Sequence, residues 1–529
     1  MTASTSAAAA APTVVDDNEA SASEFVTVDV LDNRFTPKAI TVAPGTTVRW
    51  ENEGRNVHNV KPDDGRDFGS RNLASGQGYA FEFTERGTYG YYCSLHGAPG
   101  KGQFATVVVS DTAARGRTVA YGDDGAEVVG GGSDPAPSIA ASGDVIRVPK
   151  DAKTIQQGVD RAAPGDLVLV APGVYRESVT VATDGIVIRG VDRTRTVLDG
   201  EFERDNGVQV VGADGVAIEN LTARNYKFNG FYWTGVRGYR GSYLTAYRNG
   251  DYGLYAFDSQ WGTFEHSYAS GSPDSGFYIG QCNPCHAVID DVVAEHNQLG
   301  YSGTNASGDL YIVQSVWRSN RAGIVPNSLD VEELAPQGDA VIAANLVQGS
   351  GTTSTRAAAS DEFDVVFGAG IAIVGGSNDQ VVANRVVDSA TIGVAIAPNP
   401  GLLGSTAYAA IGNQVRDNDV SASKVTDLGL LLPAATDNNC FAGNTFTTSA
   451  PANIESIVPC GAPPTADPAT ATGGLDLARL LTASHPPGRN YKKTPVPARQ
   501  PNMPRAGTAK AQPASAPTIP VLSSLRIPA

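Results

Sequence analysis

Methionine is almost missing from this chain, with two among 529 residues, at Met1 and Met503. A thioether from within a folded region is therefore hard to supply. Cysteine is also sparse, at five, which excludes a small disulfide-dense scaffold. No window of about 18 consecutive apolar residues occurs, so no segment reads as a membrane-spanning helix. Basic side chains are outnumbered, 39 Lys and Arg against 55 Asp and Glu, for a formal charge of −16. That balance argues against nucleic acid as a partner and favours a neutral glycan or a basic protein. The opening MTASTSAAAAAPTVVDDNEASASE lacks the charged start and apolar centre of a signal peptide. An export signal trimmed or lost upstream is the expectation if the chain works outside the cytoplasm.

Glycine, by contrast, is abundant at 59, and short Val, Ile and Tyr runs are bounded by Gly, Asn and Asp. Such runs are how strands and turns read, so the fold class expected is all-β. The length allows roughly two to four domains. Composition divides the chain into a leader over 1–23, expected to be disordered, a compact block over 24–110, a linker over 111–143 containing GDDGAEVVGGGSDPAP, a large repetitive block over 144–462, and a Pro and Ala-rich tail over 463–529. With few large apolar residues, that tail is expected to be disordered.

The repetitive block has a countable period. Gly207, Gly230, Gly253, Gly276, Gly300 and Gly323 each open an apolar triplet, spaced 23 or 24 apart, and Gly370 and Gly393 resume the pattern 23 apart. An irregular stretch around 350–365 reads as a loop inserted into one coil. Asn225, Asn249, Asn297 and Asn320 recur a few residues before the glycines, placed to hydrogen-bond the next coil's backbone. A repeat of about 23 residues is too short for a helix pair and suits three short strands with three corners. Its entry, TIQQGVDRAAPGDLVLVAPGVYRESVTV, resembles the opening of right-handed parallel β-helix proteins, with a short helix near Thr154–Ala162. That fold family includes pectate lyase-like enzymes, uronan epimerases and accessory proteins of nitrous-oxide reductase maturation, so the resemblance implies a fold and leaves the activity open.

Residues 25–109 read as strands separated by turns, the pattern of a small β-sandwich. His58 follows the strand ending at Trp50, and Cys93 and His96 fall where the last two strands join, on what reads as a loop. Two imidazoles and a thiolate suit a copper that cycles between Cu(II) and Cu(I). The stretch YYCSLHGAPGKGQFATVVV, with DNRFTPKAITVAPGTTVRW and VHNV upstream, resembles the plastocyanin and halocyanin-like branch of the blue copper, or cupredoxin, family. The resemblance implies one type 1 copper on His58, Cys93 and His96, single-electron transfer, and a redox protein partner. That family usually places a Met after the second loop His; here Gln103 stands in that context, with Lys101 or solvent as alternatives. A zinc site would ask for more thiolates, and no second Cys lies between residues 1 and 281.

With Cys93 assigned to metal, the other four cysteines form two groups, Cys282 with Cys285 and Cys440 with Cys460, which two disulfides would use up. Disulfides and a copper protein both imply an oxidising compartment, extracellular, periplasmic or at the cell surface. Cys282, Asn283, Pro284, Cys285 and His286 also fit the attachment motif of a c-type haem, but they fall inside the regular repeat, where neighbouring coils place an ordinary corner, so a turn disulfide or free thiols are expected there.

Alternation within the coil strands puts Phe231 and Trp233, Leu254 and Ala256, and Phe277 and Ile279 into the core, with Tyr232, Tyr255 and Tyr278 between them facing out. This predicts a tyrosine ladder on the surface, flanked by Asp258, Arg237 and Gln281, fit to stack on sugar rings or simply to stabilise the sheet. No acidic ladder accompanies it, so lyase or epimerase catalysis is unsupported. Three function classes follow: an exported electron carrier whose β-helix binds a glycan or redox partner, a uronan lyase or epimerase with an accessory cupredoxin, and a copper-delivery factor.

Overall fold

The computed structural model describes residues 25–110, 119–121, 134–351, 365–401 and 406–528, apart from positions 33, 55 and 331 and short stretches within 432–436, 464–471 and 477–484. The leader over 1–23, most of the linker and most of the inserted stretch at 350–365 lie outside these residues. The chain forms two compact units, Met1–Ala126 and Glu127–Ala529.

The first unit is a sandwich of two sheets. β1 (Phe25–Leu31), β2 (Arg34–Thr36), β4 (Thr46–Asn52) and β6 (Gly78–Phe83) make one, in the order β2-β1-β4-β6. β5 (Lys61–Pro62), β7 (Gly87–Ala98), β8 (Lys101–Val109), β3 (Ala39–Val42) and β9 (Val119–Tyr121) make the other, in that order. Alternate residues of β1 and β4 turn inward, burying Val28, Val30, Val48 and Trp50. Trp50 sits 5.3 Å from the Tyr91 ring and 5.5 Å from Tyr79, closing the core between the sheets.

The second unit is a parallel β-helix. Helix α1 (Ile155–Arg161), capped by the Thr154 side chain on the Gln157 N–H, covers its first coils. Three stacked parallel sheets of 12, 10 and 11 strands follow. The glycine period has a steric cause: a Cβ at Gly207 would lie 2.3 Å from the Gly230 carbonyl oxygen, one at Gly253 2.5 Å from that of Gly276, and one at Gly323 2.2 Å from that of Gly370. Any side chain there would drive neighbouring coils apart. Gly323 stacks on Gly370, so the glycine period is interrupted between these two positions.

Asparagine does link the coils, but the side chains of Asn249, Asn297 and Asn320 bond the backbone of the preceding coil and not that of the next. Asn297 donates both its backbone N–H and its amide to Asn320 Oδ1, at 3.0 and 3.1 Å. Asn345, Asn384, Asn418 and Asn444 continue such a ladder at 2.9 to 3.0 Å. Asn225 differs: in the left-handed region at φ 58°, it gives its amide to Asp199. Both cysteine pairs are disulfides, Cys282–Cys285 and Cys440–Cys460. The first uses both thiols that a haem attachment would require.

The tail departs from its expectation. Residues 485–528 run along the β-helix, and its carbonyls are taken up by arginines: Arg321 donates to Pro486 O, Arg248 to Thr494 O, Arg193 to Pro501 O, Arg189 to Ala509 O and Lys510 O, and Arg240 to Gln512 O, at 2.6 to 3.1 Å. Ala511 and Ala514 pack on Leu167, Val187 and Ala217. Composition correctly says that the segment has no core of its own; it borrows the sheet's.

Candidate metal centre

A separation of three residues puts Cys93 and His96 on opposite faces of a regular strand. They lie within the extended segment β7, not on a loop, and the β7–β8 register slips between Tyr92, opposite Phe104, and Gly97, opposite Gly102. This irregularity turns both side chains the same way. At the hairpin, Gly102 has φ 62°, and a Cβ there would meet His96 O at 2.7 Å, so the return into β8 needs glycine. His58 is held by a two-way bridge to Leu73, His58 N–H to Leu73 O at 3.0 Å and Leu73 N–H to His58 O at 2.7 Å.

The donor atoms converge. Cys93 Sγ lies 3.4 Å from His96 Nδ1 and 3.8 Å from His58 Nδ1, and the two Nδ1 atoms are 3.0 Å apart. Among the described residues this is the one group of His, Cys, Asp and Glu side chains gathered as metal ligands would be. Gln103 Oε1 stands 2.9 Å from His58 Nδ1. Its amide nitrogen donates to Leu31 O at 3.0 Å and Arg34 O at 2.9 Å, which aims the oxygen at the site.

Electrostatics match that geometry. The Cys93 thiol is fully buried, which alone would raise its pKa. The charge of His96 and hydrogen bonds from His58 and His96 outweigh burial and hold it well below its ordinary value, so it is poised as a thiolate. Burial likewise would lower His58, but hydrogen bonds to Asp32 and Cys93 and their negative charges push it up to about 9. A soft thiolate, two imidazoles and one amide oxygen, all buried, are a donor set that fits copper.

Two further contributors, Asp32 and Asn59, lie in the stretches that carry the family resemblance, but their residue types do not mark them as supports of a metal site. The Asn59 N–H points at Cys93 Sγ at 3.4 Å, while its side chain joins Ser94 N–H at 2.8 Å and Ser94 Oγ at 3.0 Å, tying the two ligand segments together. Asp32, 2 % exposed, places Oδ1 3.3 Å from His58 Nε2. Spacing along the chain says nothing of either, because each acts across strands.

The expected surface ladder is corrected. Tyr232, Tyr255 and Tyr278 do stack in register, with ring centroids 5.0 and 4.7 Å apart, but they are 0, 2 and 1 % exposed. The segment after strand Ala322–Asn327 closes over their end: Tyr278 donates to Glu332 Oε1 at 2.5 Å, and the Glu333 N–H donates to Gln281 Oε1 at 2.6 Å. Gln281 is thereby buried, Arg237 pairs with Asp134 at 3.1 Å, and Asp258 stands half-buried at a left-handed corner with φ 48°. No ring face is left for a sugar to stack on.

Residues 24–110 match the family model of copper-binding proteins of the plastocyanin/azurin family. A plastocyanin of Scenedesmus fuscus is 32 % identical over 85 residues, 14 % of this chain and 85 % of the relative. Among solved structures, a purple cupredoxin from Nitrosopumilus maritimus is 28 % identical and covers 16 % of this chain and 99 % of its own, with a TM-score of 0.15. The A-module of a mannuronan C-5 epimerase from Azotobacter vinelandii is 15 % identical and covers 56 % of this chain and 92 % of its own, with a TM-score of 0.41.

Proposed function

Because the chain belongs, through residues 24–110, to the plastocyanin/azurin family of copper-binding proteins, we propose that it is a single-electron carrier with one type 1 copper held by His58, Cys93, His96 and Gln103. Convergence of the two Nδ1 atoms and Sγ carries this reading. Copper there would supply a one-electron couple near a soft thiolate. The protein's own part is to keep the donors still. Asn59 bridges the ligand segments, the two carbonyl contacts fix Gln103, and the sandwich excludes water from Sγ. Fixed ligands mean little rearrangement between the two charge states, which is what fast electron transfer needs. His96, at 6 % exposure, is the least buried of the four and serves as the edge through which an electron enters and leaves.

A redox protein is the partner this reading implies, in an extracellular or periplasmic setting that the two disulfides favour. Among the described residues no helix is long and apolar enough to cross a membrane. Titrating the full chain with Cu(II) tests the reading. Expected are one copper per chain, an intense visible thiolate-to-copper band and a narrow parallel hyperfine splitting, all lost in Cys93→Ser. A colourless complex, or binding unaffected by Cys93→Ser, would overturn it.

A further inference from the structure

His58 presents Nδ1 to the donor cluster, 3.0 Å from His96 Nδ1 and 3.8 Å from Cys93 Sγ, so its Nε2 faces away, into the protein. The ring is 0 % exposed, and no solvent is there to take an Nε2 proton. A buried N–H without an acceptor costs about 1–3 kcal/mol. The acceptor provided is a carboxylate, Asp32 Oδ1, at 3.3 Å.

That carboxylate is itself held. Asp32 follows β1 and is 2 % exposed, and its Oδ1 also accepts the Asn56 N–H at 2.9 Å. Gly54 leaves it room, since a Cβ at that position would sit 2.6 Å from Oδ1. Removing an acid from water is costly, so a buried aspartate kept on the far side of a ligand histidine calls for a purpose beyond filling space.

We propose that Asp32 is a positioning residue of the metal centre: its carboxylate accepts a hydrogen bond from the Nε2–H of His58, locks the ring with Nδ1 toward Cys93, and strengthens His58 as a donor to Cu(II). The inference rests on the copper reading given above. A negative charge behind the ring makes the imidazole more basic, and the more highly charged Cu(II) gains more from that than Cu(I) does. Asp32 therefore lowers the reduction potential as well as fixing geometry.

Asp32→Asn keeps the shape and an acceptor oxygen but removes the charge, Asp32→Ala removes both, and Asp29→Asn, on the exposed side of β1, controls for loss of one acidic charge. In the full chain, Asp32→Asn should lower Cu(II) affinity about 10–100-fold. Cu(I) affinity should fall less, and the potential should rise by about 59 mV for each tenfold difference between the two. In the wild-type Cu(I) form, which is diamagnetic, proton–nitrogen NMR should show a slowly exchanging Nε2–H on His58. That proton should exchange fast in Asp32→Ala. The NMR reading on the wild type stands even if a variant folds poorly. A rapidly exchanging wild-type Nε2–H, or an Asp32→Asn potential equal to that of Asp29→Asn, overturns the inference while the copper reading stands. A wild type that binds no copper removes both.

Discussion

Replacing Asp379 by Asn should make the β-helix more stable at pH 8 and leave it nearly unchanged at pH 4. Asp379 is wholly buried between coils, and its Oδ1 accepts the Gln337 amide at 2.8 Å and the Ala340 N–H at 2.9 Å. Its other oxygen, Oδ2, and Gln337 Oε1 have no donor, and both crowd Gly376, where a Cβ would meet them at 2.4 and 2.1 Å. Two acceptors facing one spot lack a proton between them. Burial accordingly drives the Asp379 pKa from its ordinary 3.8 up to about 7, only partly opposed by the Ala340 and Gln337 hydrogen bonds.

A carboxyl with a pKa raised on folding favours the folded state most while it is protonated. That contribution is complete below about pH 4, the unfolded value, and is lost as pH rises through 7. At 1.36 kcal/mol per pKa unit, the loss by pH 8 is on the order of 4 kcal/mol. For a unit spanning Glu127–Ala529, at ~2.1 cal/mol/K per residue, this is about 5 °C in the midpoint of its thermal transition. The Asn amide supplies the missing donor at every pH, so Asp379→Asn should abolish this part of the pH dependence. Calorimetry of both proteins from pH 4 to 8 reads it directly. A difference between them that does not grow with pH would refute the reasoning.

Truncation after residue 484 should lower the midpoint of the same unit by several degrees, since the arginine-to-carbonyl bonds along the tail contribute about 1 kcal/mol net each. It should also speed amide exchange in the coils carrying Arg189, Arg193 and Arg240, and unchanged exchange there would mean that the tail is only draped on the surface. Gln103→Met exchanges a hard amide oxygen for a thioether and should raise the copper potential by on the order of 0.1 V. An unaltered potential and spectrum in that variant would show that Gln103 does not coordinate.

Two kinds of information were legible in the chain itself. The candidate ligands His58, Cys93 and His96 could be singled out because two imidazoles and a thiolate suit copper, and Gln103 because it stands where the family that this segment resembles usually places a Met. The coil period could be counted because each Gly meets the carbonyl of its successor, a constraint that repeats at a fixed distance along the chain. What acts between segments of no fixed spacing could not be read. Alternation correctly turned Tyr232, Tyr255 and Tyr278 out of the coil, but the segment that seals Tyr278 joins it through Glu332, 54 residues away. The tail is too poor in apolar residues to fold alone, and only the array of arginines on the finished β-helix gives its carbonyls somewhere to bind. Asp32 and Asn59 look like ordinary turn residues until the sandwich closes and brings one behind His58 and the other against Cys93. Periodicity and ligand chemistry are properties of the chain, whereas burial, and with it the choice between an exposed ladder and a sealed one, arises only when distant segments compete for the same surface.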